Sequence, residues 1–368
     1  MPPRRDNPSV LQILFVTFPF FALVLAGYIA ARRKMLPLEA IPGLNGFVLY
    51  FALPCMLYRF GSSTPLGQLL DAPLFLTYLV CALVMVGFVV TISLNSRIGW
   101  NDAAFGALVS AFPNTGFMGV PLLMALLGQA AAGPTIVTLL VDMVITSSMC
   151  IALSRLGRKT LSVPSEFLQS EGSLPAPLES RQVAMQTSAA RDAAKQALKG
   201  VLSNPMPWAI FLGGLSSAVQ LNLPSPVMKT VGLLADAASP VALFTIGAVL
   251  ARSQMMARGA VIVSGGIDVP SRADFATPWL DYVPVALAKL VVHPLLVLLV
   301  GATAIRLGVD IEPFALNVIV LVAALPSASS VVMLAEKFGA DNGRIARIIL
   351  VSTVLSFFTF SGAVALLN

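Results

Sequence analysis

An all-α polytopic membrane protein is the fold class that the sequence predicts: ten transmembrane helices in a 5+5 inverted repeat, with broken, crossing helices four and nine. Three observations carry this reading. First, 57% of the 368 residues are hydrophobic and only 11% charged, with a mean hydropathy of +0.88, whereas soluble globular chains hold about a quarter charged residues. Second, the charges are clustered, leaving uncharged stretches at 10–31, 40–58, 72–96, 103–141, 200–228, 313–335 and 348–368. Most are long enough to cross about 30 Å of hydrocarbon as a helix. Third, landmark residues of the first half recur in order in the second.

Allowing about 20 residues per span and breaking at Gly, Pro and charge clusters, spans fall at 10–31, 42–60, 72–95, 103–127, 134–155, 206–222, 227–251, 282–305, 313–337 and 345–367. The first follows a short tail with Arg4 and Arg5 and exceeds a signal-peptide core, so it reads as retained. The spans are continuous apolar runs, without the alternation of an outer-membrane barrel. Two loops interrupt them. Residues 157–204 are rich in Ser, Pro, Gln and Ala and read as a cytoplasmic linker between a first five-helix repeat (1–156) and a second (205–368). Within the linker, 180–200 has the composition of an interfacial helix, against the plainer reading of a solvated connector. Residues 252–281 hold no recognisable motif and read as a peripheral cytoplasmic insertion.

Orientation follows from the basic residues. Odd-numbered connections hold seventeen Lys and Arg, whereas the other side holds five, Arg4, Arg5, Arg59, Lys229 and Arg306. Because cytoplasmic loops carry the positive excess, the odd connections are expected inside and both termini outside a cell membrane. The pI near 9.5 is thus a topology signal and calls for no nucleic-acid partner. Cys55, Cys81 and Cys150 all lie within spans, without metal or disulfide spacing, and read as packing residues. No cofactor, metal or enzyme motif is expected.

The repeat rests on Pro19, Gly27, Pro37 and Pro54, which recur as Pro207, Gly214, Pro224 and Pro240 at offsets of 188, 187, 187 and 186. Further on, AFPNTGFMGVPLLMALLG (111–128) is answered by ALPSASSVVMLAEKFG (324–339), with Pro113 and Pro326 offset by 213. Units of five spans, an odd number, must lie inverted to each other, as in secondary transporters. In span four, Pro113 and Pro121 bracket Asn114, Thr115, Gly116 and Gly119; in span nine, Pro326 precedes Ser327, Ala328, Ser329 and Ser330. Proline removes a backbone donor and disrupts the preceding turn. A helix broken within a membrane leaves amides and carbonyls that are tolerated only beside a protein-enclosed or watered cavity, and half-helix N-termini suit a carboxylate. The alternative is a pair of kinks mended by Ser and Thr hydroxyls.

At these residues the sequence resembles the auxin efflux carrier family, which includes the plant PIN carriers and bacterial malonate or malate transporter-type members. FPNTGFMGVPLLM (112–124) is close to the fourth-span pattern PNTxVMGxPLL, and ALPSASSVVMLAEK (324–337) to the ninth-span pattern ALPxxxxxFxxAxE. Weaker likeness covers 19–28, 44–54 and Asn204–Pro205. The resemblance implies a fold like that of bile-acid/sodium symporters and NhaA-like exchangers, a scaffold and a transport domain, and elevator-type movement of organic anions. It implies substrate contacts at Asn114 and at Ser327 to Ser329. The Asp and Lys of the plant third span have no counterpart in 72–95.

Asp142 and Lys289 lie inside predicted spans, where a charge at the bilayer centre costs about 2.5–3.5 kcal/mol on insertion scales. Asp142 could take a proton or Na⁺ or pair with Lys289; Lys289 could attract an anion or snorkel toward the interface. Both are coupling candidates. Asp236 is expected at the wet outer end of span seven. His293 shares a helix face with Lys289 and reads as a hydrogen-bonded structural residue ahead of a proton relay. The resulting expectation is a carrier of small organic anions in the lipid bilayer, with Pro113, Asn114, Thr115, Ser327, Ala328 and Ser329 at the site and Pro113, Pro121 and Pro326 as helix breaks. H⁺ or Na⁺ coupling and a homodimer stay open. So do a sodium/proton exchanger, which needs paired membrane carboxylates, and a non-transporting receptor or scaffold, for which two broken helices serve no purpose.

Overall fold

A computed structural model describes residues 10–64, 71–155, 205–221, 223–263 and 278–367. The predicted linker at 157–204 and residues 264–277 of the predicted insertion lie outside them. The described residues form α-helices without named strands. In chain order they are α1 (Val10–Arg32), α2 (Leu38–Ser63), α3 (Ala72–Ser93), α4 (Trp100–Ala111), α5 (Thr115–Leu127) and α6 (Gln129–Ser154). Then come α7 (Pro205–Ala218), α8 (Ser225–Val263), α9 (Trp279–Arg306), α10 (Pro313–Ala324), α11 (Ser330–Lys337) and α12 (Asn342–Leu367). Among the described residues six helices are long and apolar enough to cross a membrane: α2, α3, α6, residues 225–252 of α8, α9 and α12. Phe18–Arg32, α5 and α10 are shorter apolar helices.

Helix α8 departs from expectation. It was expected to end near residue 251 and instead continues to Val263, because SQMMARGAVIV holds no proline and several strong helix formers that outweigh Gly259; the first part of the predicted insertion is helical.

Helices α1, α2, α7 and α8 pack together, α1 along α8 and α2 along α7. The remaining helices make a second group, in which α3 packs on α4 and α9, α4 on α6, and α10 on α9 and α12. Helices α1 and α8 meet this group at α5 and α12.

Glycine sets the two closest pairings. A Cβ on Gly27 would lie 1.8 Å from the carbonyl oxygen of Phe244, and one on Gly247 1.8 Å from that of Val24. At the other pairing, a Cβ on Gly213 would lie 2.6 Å from the Tyr58 carbonyl and one on Gly61 3.0 Å from that of Ile210. Small residues let backbones approach where apolar solvent supplies no hydrophobic drive. The two interfaces share one spacing: 186 residues separate Gly27 from Gly213, Tyr58 from Phe244, Gly61 from Gly247 and Val24 from Ile210.

Among the described residues four π-helical turns widen the helices, at Val48–Ala52, Thr115–Gly119, Val141–Thr146 and Ala288–Val292. Three of them stand just ahead of Pro54, Pro121 and Pro294, each of which lacks the N–H that would bond the carbonyl four residues back. The fourth has no proline. There Ser147 Oγ donates to the Asp142 carbonyl at 2.8 Å, taking up a helix acceptor.

Candidate functional site

The breaks at Pro113 and Pro326 meet. The residue before a proline is pushed out of helical conformation, and both Phe112 (φ −98°, ψ 100°) and Leu325 (φ −63°, ψ 157°) are extended. The extended pieces pair antiparallel, with Pro113 opposite Ser327. The Asn114 N–H donates to the Pro326 carbonyl at 2.8 Å, and the Ala328 N–H to the Phe112 carbonyl at 2.9 Å. Proline fits opposite Ser327 because neither residue's N–H is used in this non-hydrogen-bonded pair. The Ser327 N–H instead donates to Ser352 Oγ on α12 at 3.2 Å.

Around this pair, α4 and α10 present their C-termini and α5 and α11 their N-termini, which bring partial positive charge and amides without intrahelical acceptors. Asn114 stands at the N-cap of α5, and its carbonyl accepts the N–H groups of Met118 and Gly119. Gly119 lets α5 pass Leu325, whose Cδ1 would lie 2.7 Å from an added Cβ. Asn114, Thr115, Ser327 and Ala328 are 4%, 0%, 1% and 3% exposed, so the crossing is closed to solvent. Ser327 Oγ is buried without a hydrogen-bond partner, in a setting where buried hydroxyls are nearly always satisfied. Ser329 and Pro121 are half-buried nearby in sequence.

A second polar cluster adjoins the crossing. Asp142 is fully buried in its π-helical turn. Tyr78 Oη on α3 donates to its Oδ2 at 3.0 Å, and Thr146 Oγ1 to its Oδ1 at 3.2 Å. Lys289, fully buried in the π-helical turn of α9, donates through Nζ to the carbonyl of Ala323 at 2.6 Å and lies 3.1 Å from His293 Nδ1. Ala323 is in the last turn of α10, three residues before Pro326, and the Tyr78 and His293 rings are 6.0 Å apart. Apolar side chains close the surroundings, among them Leu74, Val137, Val297 and Ile319. Asp142 and Lys289 make no ion pair within 4 Å but lie within electrostatic reach of each other.

The structure thus brings Pro113, Asn114, Thr115, Pro326, Ser327 and Ala328 to one crossing and sets Lys289 against one of the half-helices that meet there. Asp236 stands apart, in an exposed 2.7 Å ion pair with Arg59. Sequence reasoning missed Tyr78, Thr146 and Ser352. A tyrosine two turns into a 22-residue apolar helix is a signal for the first; hydroxyls on Thr and Ser are too common in these helices to single out the others. His293 is hydrogen-bonded, as expected of it, with its Nε2 buried and unpartnered. No group of three or more metal-ligating side chains occurs among the described residues.

Comparison with known proteins adds three findings. A family model described as "Membrane transport protein" matches residues 12–364. A Rhizobium meliloti (strain 1021) protein named "Putative malonate transporter" is 28% identical over 358 residues, 97% of this chain and 96% of its own. Auxin efflux carrier component 8 of Arabidopsis thaliana is 24% identical over 281 residues, 68% of this chain and 75% of its own.

Proposed function

The chain belongs to the membrane transport protein family, the auxin efflux carrier family that its two proline motifs resemble, and from that premise we propose that it carries small organic anions, carboxylates such as malonate, malate or auxin-like acids, by secondary active or facilitative transport. It is a multi-pass membrane transporter and not an enzyme. The observation that carries the proposed cargo is the crossing itself. Two half-helix N-termini converge on a buried pair of extended segments, beside a serine hydroxyl with no partner. A carboxylate there gains helix-end amides and the side chains of Asn114, Thr115, Ser327 and Ser329. The names of the two relatives, one for malonate and one for auxin, support a carboxylate.

The glycine contacts, duplicated at one spacing with partners exchanged between α1–α8 and α2–α7, support the inverted repeat of five-span units. The separate helix groups support an elevator in which α3–α6 and α9–α12 move against α1, α2, α7 and α8. Such movement would open a crossing that is closed in this conformation. Asp142 and Lys289 remain the coupling candidates, and the excess of basic residues on odd connections supports external termini in a cell membrane.

The test is uptake of labelled malonate, malate and indole acetate into liposomes holding the purified chain, with Asn114→Ala and Ser327→Ala beside it. At least one acid is expected to enter, and each variant to lose about tenfold or more in affinity for it, the worth of one hydrogen bond to a charged group. If no acid moves under proton, sodium or voltage gradients, and Asn114→Ala leaves binding of every anion unchanged, the proposal fails.

A further inference from the structure

Carriers with broken helices hold their coupling cations at the C-terminal ends of half-helices, where unpaired carbonyls carry partial negative charge. In this protein such an end is already occupied by a side chain. Lys289 Nζ is 2.6 Å from the Ala323 carbonyl, in the last turn of α10. Its second neighbour is His293 Nδ1 at 3.1 Å, where an ammonium would donate to a lone pair of the neutral ring. Electrostatic reach extends to Asp142, whose oxygens are held by Tyr78 and Thr146. Lys289 does not snorkel: it is 0% exposed, and its four-carbon stem is spent reaching inward to the half-helix end. Nζ thus has a helix-end carbonyl and a ring nitrogen as its direct neighbours, with the Asp142 carboxylate beyond ion-pair distance.

We infer that Lys289 is a built-in counter-cation, an ammonium occupying the position at the end of α10 where a coupling Na⁺ would otherwise bind, so that this carrier needs no sodium to assemble its anion site. The inference deepens the carrier reading and rests on it for the transport measurement, but not for the binding measurement described next. A positive charge three residues before Pro326 also offsets the carbonyl end that faces an incoming carboxylate. Lys289 acts here through α10, as a positioning residue, and does not touch the cargo.

Removing the side chain should leave a cation-shaped vacancy. The experiment compares thermal melting of the purified full chain in NaCl, methylammonium chloride and N-methylglucamine chloride at equal ionic strength, for wild type, Lys289→Ala and Lys289→Met. Wild type is expected to melt alike in all three salts. Lys289→Ala is expected to melt lower and to be raised in a saturable way by methylammonium or Na⁺ but not by N-methylglucamine, while Lys289→Met, whose side chain fills the space, is not raised. A merely structural lysine predicts the loss without the cation-specific recovery. Selective stabilisation of wild type by Na⁺, or a Lys289→Ala protein indifferent to both small cations, overturns the inference.

Should Lys289→Ala not purify, uptake by wild type and Lys289→Gln decides. Wild type is expected to transport equally in Na⁺ and N-methylglucamine, and Lys289→Gln, which keeps a donor and loses the charge, to fall by about tenfold or more, as for a buried charge stripped of its partner. Sodium-dependent uptake by wild type, or an unimpaired Lys289→Gln, refutes it. Absence of any acid uptake in wild type instead strikes the carrier reading, and melting of Lys289→Ser in the three salts then decides for Lys289: recovery by methylammonium or Na⁺ but not N-methylglucamine is expected, and indifference to both small cations overturns the inference.

Discussion

The duplicated glycine interfaces make a graded prediction. Adding one methyl to Gly27 or Gly247 sets a carbon 1.8 Å from a carbonyl oxygen, where close carbon–oxygen contacts across helices run about 3.3–3.6 Å. Backbone carbonyls cannot rotate aside as side chains do, so α1 and α8 must part by about 1.5 Å, at the upper end of the overpacking cost of about 1–3 kcal/mol. Gly213→Ala starts from 2.6 Å and Gly61→Ala from 3.0 Å, so the strain between α2 and α7 is smaller, about 1 kcal/mol or less for the latter. Gly87 and Gly362 meet nothing within 4 Å, and there alanine should stabilise by about 0.5–1 kcal/mol through helix propensity. Thermal melting of the purified protein reads the series. The expected order of loss is Gly27→Ala and Gly247→Ala, then Gly213→Ala, then Gly61→Ala, with the two controls unchanged or raised. The double variant of Gly27 and Gly247 should lose less than the two single losses together, because once the helices have parted the second methyl finds room. Equal losses at all positions, or additive losses in the double variant, would refute the reasoning that backbone approach sets the cost.

Other consequences follow from the same geometry. Tyr78→Phe removes the donor to Asp142 Oδ2 and should destabilise by about 1–3 kcal/mol, the cost of a buried acceptor left unpaired, measured by chemical unfolding in mixed micelles. Arg344 is 2% exposed and donates to the carbonyls of Asp102 and Asp281 and to Ser93 Oγ, joining the ends of α3, α4, α9 and α12. Arg344→Met leaves those carbonyls without their donors and should therefore cost about 1–3 kcal/mol for each buried acceptor left unpaired, and abolish uptake. Gly106→Ala should weaken the same joint, since its Cβ would lie 2.6 Å from the guanidinium; a melting scan that shows no loss would count against it. Asp236→Asn, by contrast, breaks only an exposed pair and should change stability by at most about 1 kcal/mol.

Much of the arrangement was legible before any coordinates, for local reasons. A continuous apolar run records its own helix, so helix positions agree with expectation apart from end effects and the extension of α8 to Val263. Proline likewise acts on its own neighbours: Pro113 and Pro326 mark breaks, and the extended residues before each were implied by sterics. The site was harder to read. Asp142 and Lys289 stand out as costly charges, but Tyr78, 64 residues from Asp142, carries no comparable mark.

What the sequence determined by itself was the class of molecule and the breaks at Pro113 and Pro326, because hydrophobic length and proline geometry are properties of short stretches; Pro121, also expected as a break, lies within α5, where the π-helical turn Thr115–Gly119 absorbs it. Tertiary structure decided which breaks touch, that Pro113 lies opposite Ser327, and that Lys289 turns inward onto the end of α10. A hydrogen bond between residues far apart depends on how helices cross, and that is set by close contacts such as those of Gly27 and Gly247, where a single missing methyl group fixes how near two backbones can come.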